Sequence, residues 1–397
     1  MTEGGRQSRI CSRCVMDTSD PTISFNARGT CNHCQRADRY LPSVRWTPEA
    51  SERQLQRVAA GIKRAGAGKE YDSVIGLSGG VDSSYAALIA HRLGLRPLAV
   101  HFDNGWDSET SVQNIQRVVE GCGFDLHTYV INWQEFRDLQ RSFLLASVLD
   151  IELLTDNAIL AATINIAREH HIRHLLSGYN LATEHGLPAA WAWHKMDWTN
   201  IKAIHDKYGQ VPLRTFPHIS TFEWWRMQLT GRGITWVHLP NLVPYRRDEA
   251  AATLTTELGW REYGGKHHES AFTKFYQAVI LPKKFGIDKR RVHLSDRIRN
   301  GELSREEALV ELAKPIYTPD EERAESDYVR KKLGFSPEEW TAIMAASPRS
   351  HVDFASDRVF SAPVNFGLRA LRRSVALAMR VSRRVGRVAR APRTTGT

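Results

Sequence analysis

Residues 77–84 read Leu-Ser-Gly-Gly-Val-Asp-Ser-Ser and carry the residue types of a phosphate-binding turn. They follow an apolar run at 73–77 and precede a helix-forming stretch at 85–93. Glycines let the backbone approach a phosphate, and hydroxyls and N–H groups at a helix N-terminus point toward it. We therefore predict an anion-binding loop here, against the alternative of an ordinary turn between a strand and a helix.

Four cysteines form two pairs, Cys11-x-x-Cys14 and Cys31-x-x-Cys34. This arrangement matches the spacing of a four-thiolate structural zinc site. The surrounding segment is poor in apolar residues, so we expect metal binding to supply its folding free energy. An iron–sulfur cluster, two disulfides and a redox pair are the alternatives, and His33 could replace one thiolate.

The bulk composition is that of a soluble globular protein, with 42% hydrophobic and 25% charged residues among 397. This length allows two or three domains. No apolar run approaches the ~18 residues of a membrane span, and the N-terminus has no apolar signal region, so we expect a cytoplasmic protein. From Phe366 onward nine arginines and no acid account for nearly all of the net charge of +10. The near-neutral remainder argues against a nucleic-acid partner.

The pattern between residues 46 and 177 is one of alternating helices and strands. A helix at 46–65, with Thr47 as its cap, precedes predicted strands at 73–78, 97–103, 126–131 and 173–177. Helices are predicted between them at 83–93, 108–120, 133–151 and 157–170. Such alternation is typical of an α/β fold with a doubly wound parallel sheet, whose ligands bind at the carboxyl ends of the strands. Glycine-rich loops follow those ends at 79–80, 103–105 and 178–180, although 103–105 could be a plain turn.

Two later segments could contact a substrate. Six tryptophans lie between residues 186 and 245, where they could pack in the core or cover a sugar ring. Lys266-His267-His268-Glu269 offers acid–base groups or metal ligands, although adjacent helical residues point about 100° apart. Five cations against one acid in residues 283–291 suit a polyphosphate or an anionic sugar nucleotide, with a solvated basic face as the alternative.

The loop at 78–84 resembles the pyrophosphate loop (PP-loop) of the N-type ATP pyrophosphatases, which cleave ATP to AMP and pyrophosphate and adenylate a substrate oxygen. No Lys-Ser or Lys-Thr closes a Gly-x-x-x-x-Gly pattern, which disfavours a Walker A loop. Further motifs make the resemblance more specific. They are Cys-x-x-Cys-Val-Met-Asp-Thr-Ser-Asp-Pro near the N-terminus and, later in the chain, Tyr-Gly-Gly-Lys-His-His-Glu-Ser and Phe-Gly-Ile-Asp-Lys-Arg-Arg. Over about residues 11–347 the chain resembles bacterial N-acetyl sugar amidotransferases of lipopolysaccharide O-antigen and nonulosonic acid pathways.

This resemblance implies an adenine nucleotide alpha hydrolase-like fold and an ATP-dependent reaction on a nucleotide-activated sugar. The oxygen of an acetamido group is adenylated, and ammonia then gives an acetamidino group, AMP and pyrophosphate. ATP is expected at Ser78, Gly79, Gly80, Asp82, Ser83, Ser84, Phe102, Asp103, Gly178 and Asn180, with Mg²⁺ near Asp82. Catalytic roles are expected for Ser78, Asp82, Lys266, His267 and Lys289, and substrate contacts for His268, Glu269, Lys284, Arg290 and Arg291.

Ammonia is expected from a separate protein. Cys122 is the only cysteine outside the two pairs, and we interpret it as a small buried hydrophobe instead of a glutaminase nucleophile. The resemblance implies a class I glutaminase subunit as partner, accompanied in related clusters by a cyclase-like barrel synthase. The rival enzyme is a PP-loop tRNA thiolase or lysidine-type enzyme, and the non-enzymatic rival is a zinc-ribbon nucleotide sensor.

The expected domains are a four-cysteine zinc-binding module at 1–45, a PP-loop domain at 46–245, a mainly helical substrate-binding region at 246–347, and a linker and tail at 348–397. In a helical projection the arginines between 369 and 390 share one face, opposite the apolar residues. That pattern indicates a basic amphipathic helix for peripheral contact with an anionic membrane. A disordered or partner-bound tail is the alternative.

Overall fold

The computed structural model describes residues 9–230, 233–263 and 269–357. Its centre is a parallel sheet of five strands: β1 (Ser73–Gly76), β2 (Pro97–Asp103), β3 (Leu126–Val130), β4 (His174–Ser177) and β5 (Thr235–His238). The strand order is β3-β2-β1-β4-β5, and every neighbouring pair is parallel. The predictions for Lys266, His267, His268 and the basic tail lie outside the described residues.

In the described part of the chain through residue 258, nine α-helices precede, separate or follow the strands. They are α1 (Asn32–Tyr40), α2 (Pro48–Ala65), α3 (Val81–Arg92), α4 (Glu109–Cys122), α5 (Trp133–Ala146), α6 (Leu153–Glu169), α7 (Trp198–Tyr208), α8 (Thr221–Leu229) and α9 (Arg247–Leu258). The predicted helix at 133–151 is shorter in the structure because Ser147 adopts a left-handed conformation with φ 54° and ends α5 at Ala146.

The helical region after residue 269 consists of α10 (Ala271–Phe275), α11 (Leu281–Phe285), α12 (Arg290–Asn300), α13 (Arg305–Ala313), α14 (Pro319–Leu333) and α15 (Pro337–Ala345). A π-helical turn at Tyr276–Ile280 joins α10 to α11. Capping boxes at Ser304, Thr318 and Ser336 set the starts of the last three helices. Among the described residues no helix is both long enough and apolar enough to span a bilayer.

Helices cover both faces of the sheet, which confirms the predicted doubly wound α/β architecture. Ile75 packs with residues of α2, α3 and α4 on one face, whereas its neighbour Val74 packs with residues of α6 on the other. This alternation follows from the two-residue period of a strand. The carboxyl edge of the sheet is therefore left for the loops that carry the predicted site.

The N-terminal cysteine module packs against the helical C-terminal region. Val15 joins Leu294 of α12 and Ala308 of α13 in one small apolar cluster. The Val15 amide also donates to the hydroxyl of Ser295 at 3.2 Å. The two ends of the described chain thus share a core.

Candidate functional site

The loop between β1 and α3 forms a compact set of hydroxyl and amide groups. The Ser78 amide donates to the Ser83 hydroxyl at 3.3 Å, and the two hydroxyl oxygens lie 3.2 Å apart. The Gly80 amide donates to the Ser78 hydroxyl at 3.3 Å. Both serines line the neighbouring cavities, so these groups can turn toward phosphate oxygens.

Two glycines permit the close backbone approaches around this loop. Gly79 has a φ of +78°, and an added Cβ would lie 2.4 Å from the carbonyl oxygen of Ser111. At Gly178, just after β4, an added Cβ would lie 2.6 Å from the Ser83 amide nitrogen. Glycine is required at both positions, because a side chain at Gly79 would collide with the backbone of α4 and one at Gly178 with the first turn of α3.

Asp82, in the first turn of α3, is held by two side chains from distant elements. Its Oδ1 accepts a hydrogen bond from Asn180 Nδ2 at 3.3 Å and another from the hydroxyl of Tyr245. Burial, with the nearby Asp82 charge, raises the pKa of Tyr245 well above its usual value, so this hydroxyl stays a donor. Tyr245 was not identified from the sequence, since a lone tyrosine before α9 carries no motif.

Asn180 is fully buried, and its own oxygen accepts from the Thr183 amide at 2.8 Å and the Thr183 hydroxyl at 2.9 Å. These bonds fix the loop after β4 and present the Asn180 amide to Asp82. The geometry makes Asn180 a support for Asp82, while direct contact with ATP stays a prediction.

Two cavities lie against the loop, and a third lies next to them. The sheet-edge cavity, about 720 Å³, contains Ser78, Ser83, Phe102 and the groups of α6 and α12 described below. The loop cavity, about 270 Å³, lies against Asp82, Gly178, Glu184, Tyr263 and Glu269. The arginine cavity, about 980 Å³, contains Arg247, Arg290, Arg297, Lys274 and Lys314 together with Glu262, Glu306, Glu307 and Glu311.

Neighbouring cavities share wall residues. Glu269 lines both the sheet-edge and the loop cavity, Arg247 lines the loop and the arginine cavity, and His293 lines the sheet-edge and the arginine cavity. The three cavities are therefore adjacent to one another, and the PP-loop lines two of them.

Three predicted ATP-binding residues differ in their placement. Phe102 lines the sheet-edge cavity and stacks on Tyr129 with ring centroids 5.5 Å apart. Asp103 lines none of the three cavities, and its Oδ1 accepts a hydrogen bond from the Gly105 amide at 2.8 Å. This contact is that of a plain turn, the alternative considered for residues 103–105. Ser84 is fully buried and its amide donates to the Gly80 carbonyl, so the predicted phosphate contact of Ser84 is not supported.

His101 is a further ionisable group on the wall of the sheet-edge cavity. Its Nδ1 lies 3.2 Å from the Leu77 carbonyl oxygen, and its Nε2 lies 3.2 Å from Asp107 Oδ2. Burial favours the neutral ring, but the hydrogen bond and charge of Asp107, the Leu77 carbonyl and the charge of Asp103 together outweigh it and raise the pKa of His101. An imidazolium here would place positive charge beside the PP-loop. Sequence analysis missed it because His101 reads as part of a buried strand.

The cations of the run at 283–291 are paired within the protein, although the run itself contains only one acid. Lys289 lines the sheet-edge cavity and its Nζ lies 2.8 Å from Glu152. Arg290 and Lys284 bond backbone carbonyls elsewhere in the helical region, at Lys314 and Ile343 respectively. The other ion pairs join Lys283 to Glu322, Arg290 to Asp288, and Arg291 to Asp17.

These contacts separate the five cations. Only Lys289 contacts the cavity that contains the PP-loop, whereas Arg290 lines the arginine cavity. Lys284 and Arg291 line none of the three cavities, so the predicted substrate contacts of these two residues have no support from the geometry.

The far wall of the sheet-edge cavity carries a half-buried lysine that the sequence did not reveal. Lys195 Nζ lies 2.8 Å from Asp150 Oδ2 and 2.9 Å from Asp156 Oδ2. Although burial opposes a charged amine, the two carboxylates raise the pKa of Lys195. Trp191 lies on the same wall, and among the six clustered tryptophans it alone lines this cavity in the described chain.

The four cysteines of the two pairs converge on one buried point. Their sulfur atoms all lie within 4.8 Å of one another, and Cys14 and Cys31 are 3.7 Å apart. A tetrahedron with Zn–S bonds of about 2.3 Å requires sulfur separations of about 3.8 Å. The cysteines are free thiols, which removes the disulfide alternative. The donor set fits a tetrahedral zinc ion.

A backbone donor beside the sulfur atoms also suits a bound thiolate. The Cys31 amide donates to Cys11 Sγ at 3.2 Å. His33 bonds Asp20 at 2.7 Å instead of joining the cluster, so it does not replace a thiolate.

Comparison with known families agrees with both halves of this architecture. Residues 73–180 match the family model for asparagine synthase, which covers β1 to β4 with the PP-loop. Residues 269–367 match the model described as LPS biosynthesis protein WbpG-like, C-terminal domain. The chain thus joins a domain similar to that of asparagine synthase, which carries the PP-loop, to a domain similar to the C-terminal domain of WbpG-like proteins. The resemblance to amidotransferases of lipopolysaccharide synthesis is thereby confirmed at the level of these two domains.

Other comparisons add little to the WbpG-like assignment. A search of curated proteins gives no match. Among solved structures, the NMN synthetase from Francisella tularensis is 13% identical, and the alignment covers 74% of this chain and 98% of that chain with a TM-score of 0.38. The match of the loop-bearing domain to the asparagine synthase model supports an ATP-dependent enzyme.

Proposed function

We propose that this protein is an ATP-dependent N-acetyl sugar amidotransferase of surface polysaccharide biosynthesis. Its substrate is a nucleotide-activated sugar whose acetamido group becomes an acetamidino group. The observation that carries the proposal is the sheet-edge cavity, in which Ser78 and Ser83 of the PP-loop face Tyr276, Lys289 and His293 of the WbpG-like domain. A nucleotide bound to the loop would meet its acceptor in that space.

The chemistry overcomes the poor reactivity of an amide carbonyl. The acetamido oxygen attacks the α-phosphorus of ATP, the bond to the β-phosphate bridging oxygen breaks, and pyrophosphate leaves. Ammonia then attacks the imidate carbon, AMP departs with the former acetamido oxygen, and loss of a proton gives the acetamidino group. The enzyme therefore has to hold a leaving group, exclude water and deliver ammonia.

The chain's own residues suit the first of these tasks. Ser78, Gly79, Gly80 and Ser83 would hold the pyrophosphate through hydroxyl and amide donors, and His101 would add positive charge beside them. Carboxylates of Asp82, Glu184 and Glu269 line the loop cavity and suit Mg²⁺, which prefers one or two carboxylates together with phosphate oxygens. Such an ion would neutralise charge on the phosphates.

Ammonia would come from a class I glutaminase subunit, with a cyclase-like barrel synthase as a further partner. Cys122 supports this division of labour, because it is buried and burial raises the pKa of its thiol to about 11, unlike a reactive nucleophile. The basic tail would add peripheral contact with an anionic membrane, and zinc would occupy the four-cysteine site.

The test traces the acetamido oxygen of the substrate into the AMP product. The purified protein is incubated with Mg-ATP, ammonium chloride and UDP-linked N-acetyl sugars that carry ¹⁸O in the acetamido carbonyl. We expect sugar-dependent pyrophosphate release and one ¹⁸O in the AMP phosphate, detected by mass spectrometry. Unlabelled AMP, formation of ADP, or pyrophosphate release that depends on tRNA instead of sugar would contradict the proposal.

A further inference from the structure

One wall of the sheet-edge cavity has the features of a second binding site. It is formed by the first turns of α6 and by residues 187–195, where Thr155 accompanies three further polar residues, Asp156, Trp191 and Lys195. The ion pair between Lys195 and Asp156, at 2.9 Å, joins the two segments. We call these three residues with Leu187 the Trp191 subsite.

Trp191 has a buried hydrogen-bond donor that lacks an acceptor. Its side chain is 7% exposed, and within the described ranges its indole Nε1 has no hydrogen-bond partner. By contrast, the indole nitrogens of Trp106, Trp193 and Trp260 each donate to a protein oxygen at 2.9 Å. Buried donors are nearly always satisfied in folded proteins, so the donor on this cavity wall calls for an acceptor on a ligand.

The chemistry around Trp191 favours a neutral, polyhydroxylated ligand. Asp156 is 48% exposed and can accept hydrogen bonds from hydroxyl groups, while Lys195 can donate. The indole and the side chain of Leu187 supply the apolar surface on which the C–H face of a pyranose packs. No arginine is among the described residues of this cavity wall, so a second polyphosphate would be poorly held there.

We propose that the Trp191 subsite binds the pyranose ring of the acceptor, with Trp191 Nε1 donating to an oxygen substituent of the sugar and Asp156 accepting from a hydroxyl. This assignment rests on the proposed function. The same cavity reaches Ser78 and Ser83, so a ring held here can present its acetamido oxygen to ATP. His293, on the boundary with the arginine cavity, marks the direction in which the sugar diphosphate would extend.

Two conservative variants of the full-length protein test the subsite. Trp191→Phe removes the N–H but keeps an aromatic ring, and Asp156→Asn removes the charge but keeps the shape. Trp46→Phe is the matched control, because the Trp46 indole donates to the Asn241 carbonyl and lines neither the sheet-edge nor the arginine cavity. Binding of UDP-N-acetylglucosamine, N-acetylglucosamine and ATP is measured separately by calorimetry and saturation-transfer NMR, with thermal denaturation as the folding control.

We expect Trp191→Phe and Asp156→Asn each to weaken UDP-N-acetylglucosamine binding about five- to tenfold, as loss of one hydrogen bond implies. ATP affinity should stay unchanged in both, and Trp46→Phe should match the wild type. The assignment would be overturned if Trp191→Phe bound the sugar as tightly as the wild type, or if it lost affinity for ATP instead of for the sugar. It would also be overturned if the wild type showed no saturable binding of either sugar. A wild type that binds sugar but releases no pyrophosphate would contradict the proposed function and leave the subsite standing.

Discussion

Arg299 Nη2 donates to the Sγ of Cys14 at 3.4 Å, although 285 positions separate the two residues in the chain. The same guanidinium donates to Asp296 Oδ1 at 2.6 Å, and both side chains are fully buried. Four thiolates around a divalent ion leave a net negative charge, and a buried cation beside them offsets it. Charge balance of the cysteine module therefore depends on α12.

Arg299→Gln should destabilise the protein and weaken metal retention. Breaking a buried ion pair leaves Asp296 uncompensated and costs about 3–5 kcal/mol of unfolding free energy. Thermal denaturation and the rate of zinc release to a chelator would show both effects. Cys34→Ser is the reference variant for complete loss of the metal, about one zinc per chain. Arg323 is exposed, so Arg323→Gln should change neither the melting temperature nor the rate of zinc release. Iron, or no metal, in the purified wild type would refute a zinc site.

Although Ser83 and Ser84 are adjacent, we expect Ser83→Ala to reduce catalytic activity and Ser84→Ala to leave it unchanged. Ser83 contacts Ser78 and lines the cavity, so its loss should reduce pyrophosphate release by roughly tenfold or more with a small change in melting temperature. Ser84 Oγ is buried without a partner in the described part of the chain, so its removal should preserve turnover. Steady-state kinetics with melting curves would decide, and equal activity of the two variants would refute a phosphate-binding role for Ser83.

Tyr245→Phe should lower catalytic efficiency with ATP, because Asp82 then loses the donor that fixes its carboxylate. One charge-assisted hydrogen bond is worth about 1.5–3 kcal/mol, so we expect a loss of roughly ten- to hundredfold in kcat/KM for ATP. Tyr85→Phe is the control, since its ring neighbours Tyr245 at 5.8 Å. A similar loss in both variants would indicate general disturbance of packing around α3.

Asp107→Asn should reduce stability most at acidic pH, where the His101 imidazole is fully protonated. Burial lowers the pKa of His101, but the hydrogen bond and charge of Asp107, helped by the Leu77 carbonyl and Asp103, raise it on balance in the folded state. A raised pKa contributes stability that is fully present below the unfolded value of about 6.5 and is lost as pH rises through the folded value. The melting-temperature difference between wild type and Asp107→Asn should therefore shrink with rising pH. A difference that grows with pH would show that His101 is neutral.

Lys289→Met and Arg290→Met should separate binding from stability in the cation run. Lys289 lines the sheet-edge cavity, so we expect its loss to raise KM for the acceptor or ATP several-fold. Arg290 bonds Asp288 and the carbonyl oxygens of Glu311, Leu312 and Lys314, so its loss should mainly lower the melting temperature. If Arg290→Met weakens binding of the acceptor or ATP while the melting temperature is unchanged, this division is wrong and the cation run acts as a phosphate-binding site.

Much of the framework follows from local sequence. The PP-loop, the four-cysteine site and strands β1 to β4 each have a continuous signal in chain order. Strand β5 was missed because it has four residues at the sheet edge, follows a long excursion and is only half-buried. The partners that complete the site could not be found in this way, because Tyr245, Lys195 and His101 acquire their roles only when distant segments meet.

The contact between Cys14 and Arg299 also has a consequence for the order of events during synthesis. Translation at about 5–20 residues per second means that the guanidinium follows its sulfur partner by roughly 15–60 s. Throughout that interval the nascent cysteine module carries its thiolates without the buried cation and without the apolar cover of α12 and α13. Early metal capture on the ribosome would protect these sulfurs from oxidation, so chelation of zinc during synthesis should damage the protein far more than chelation after release.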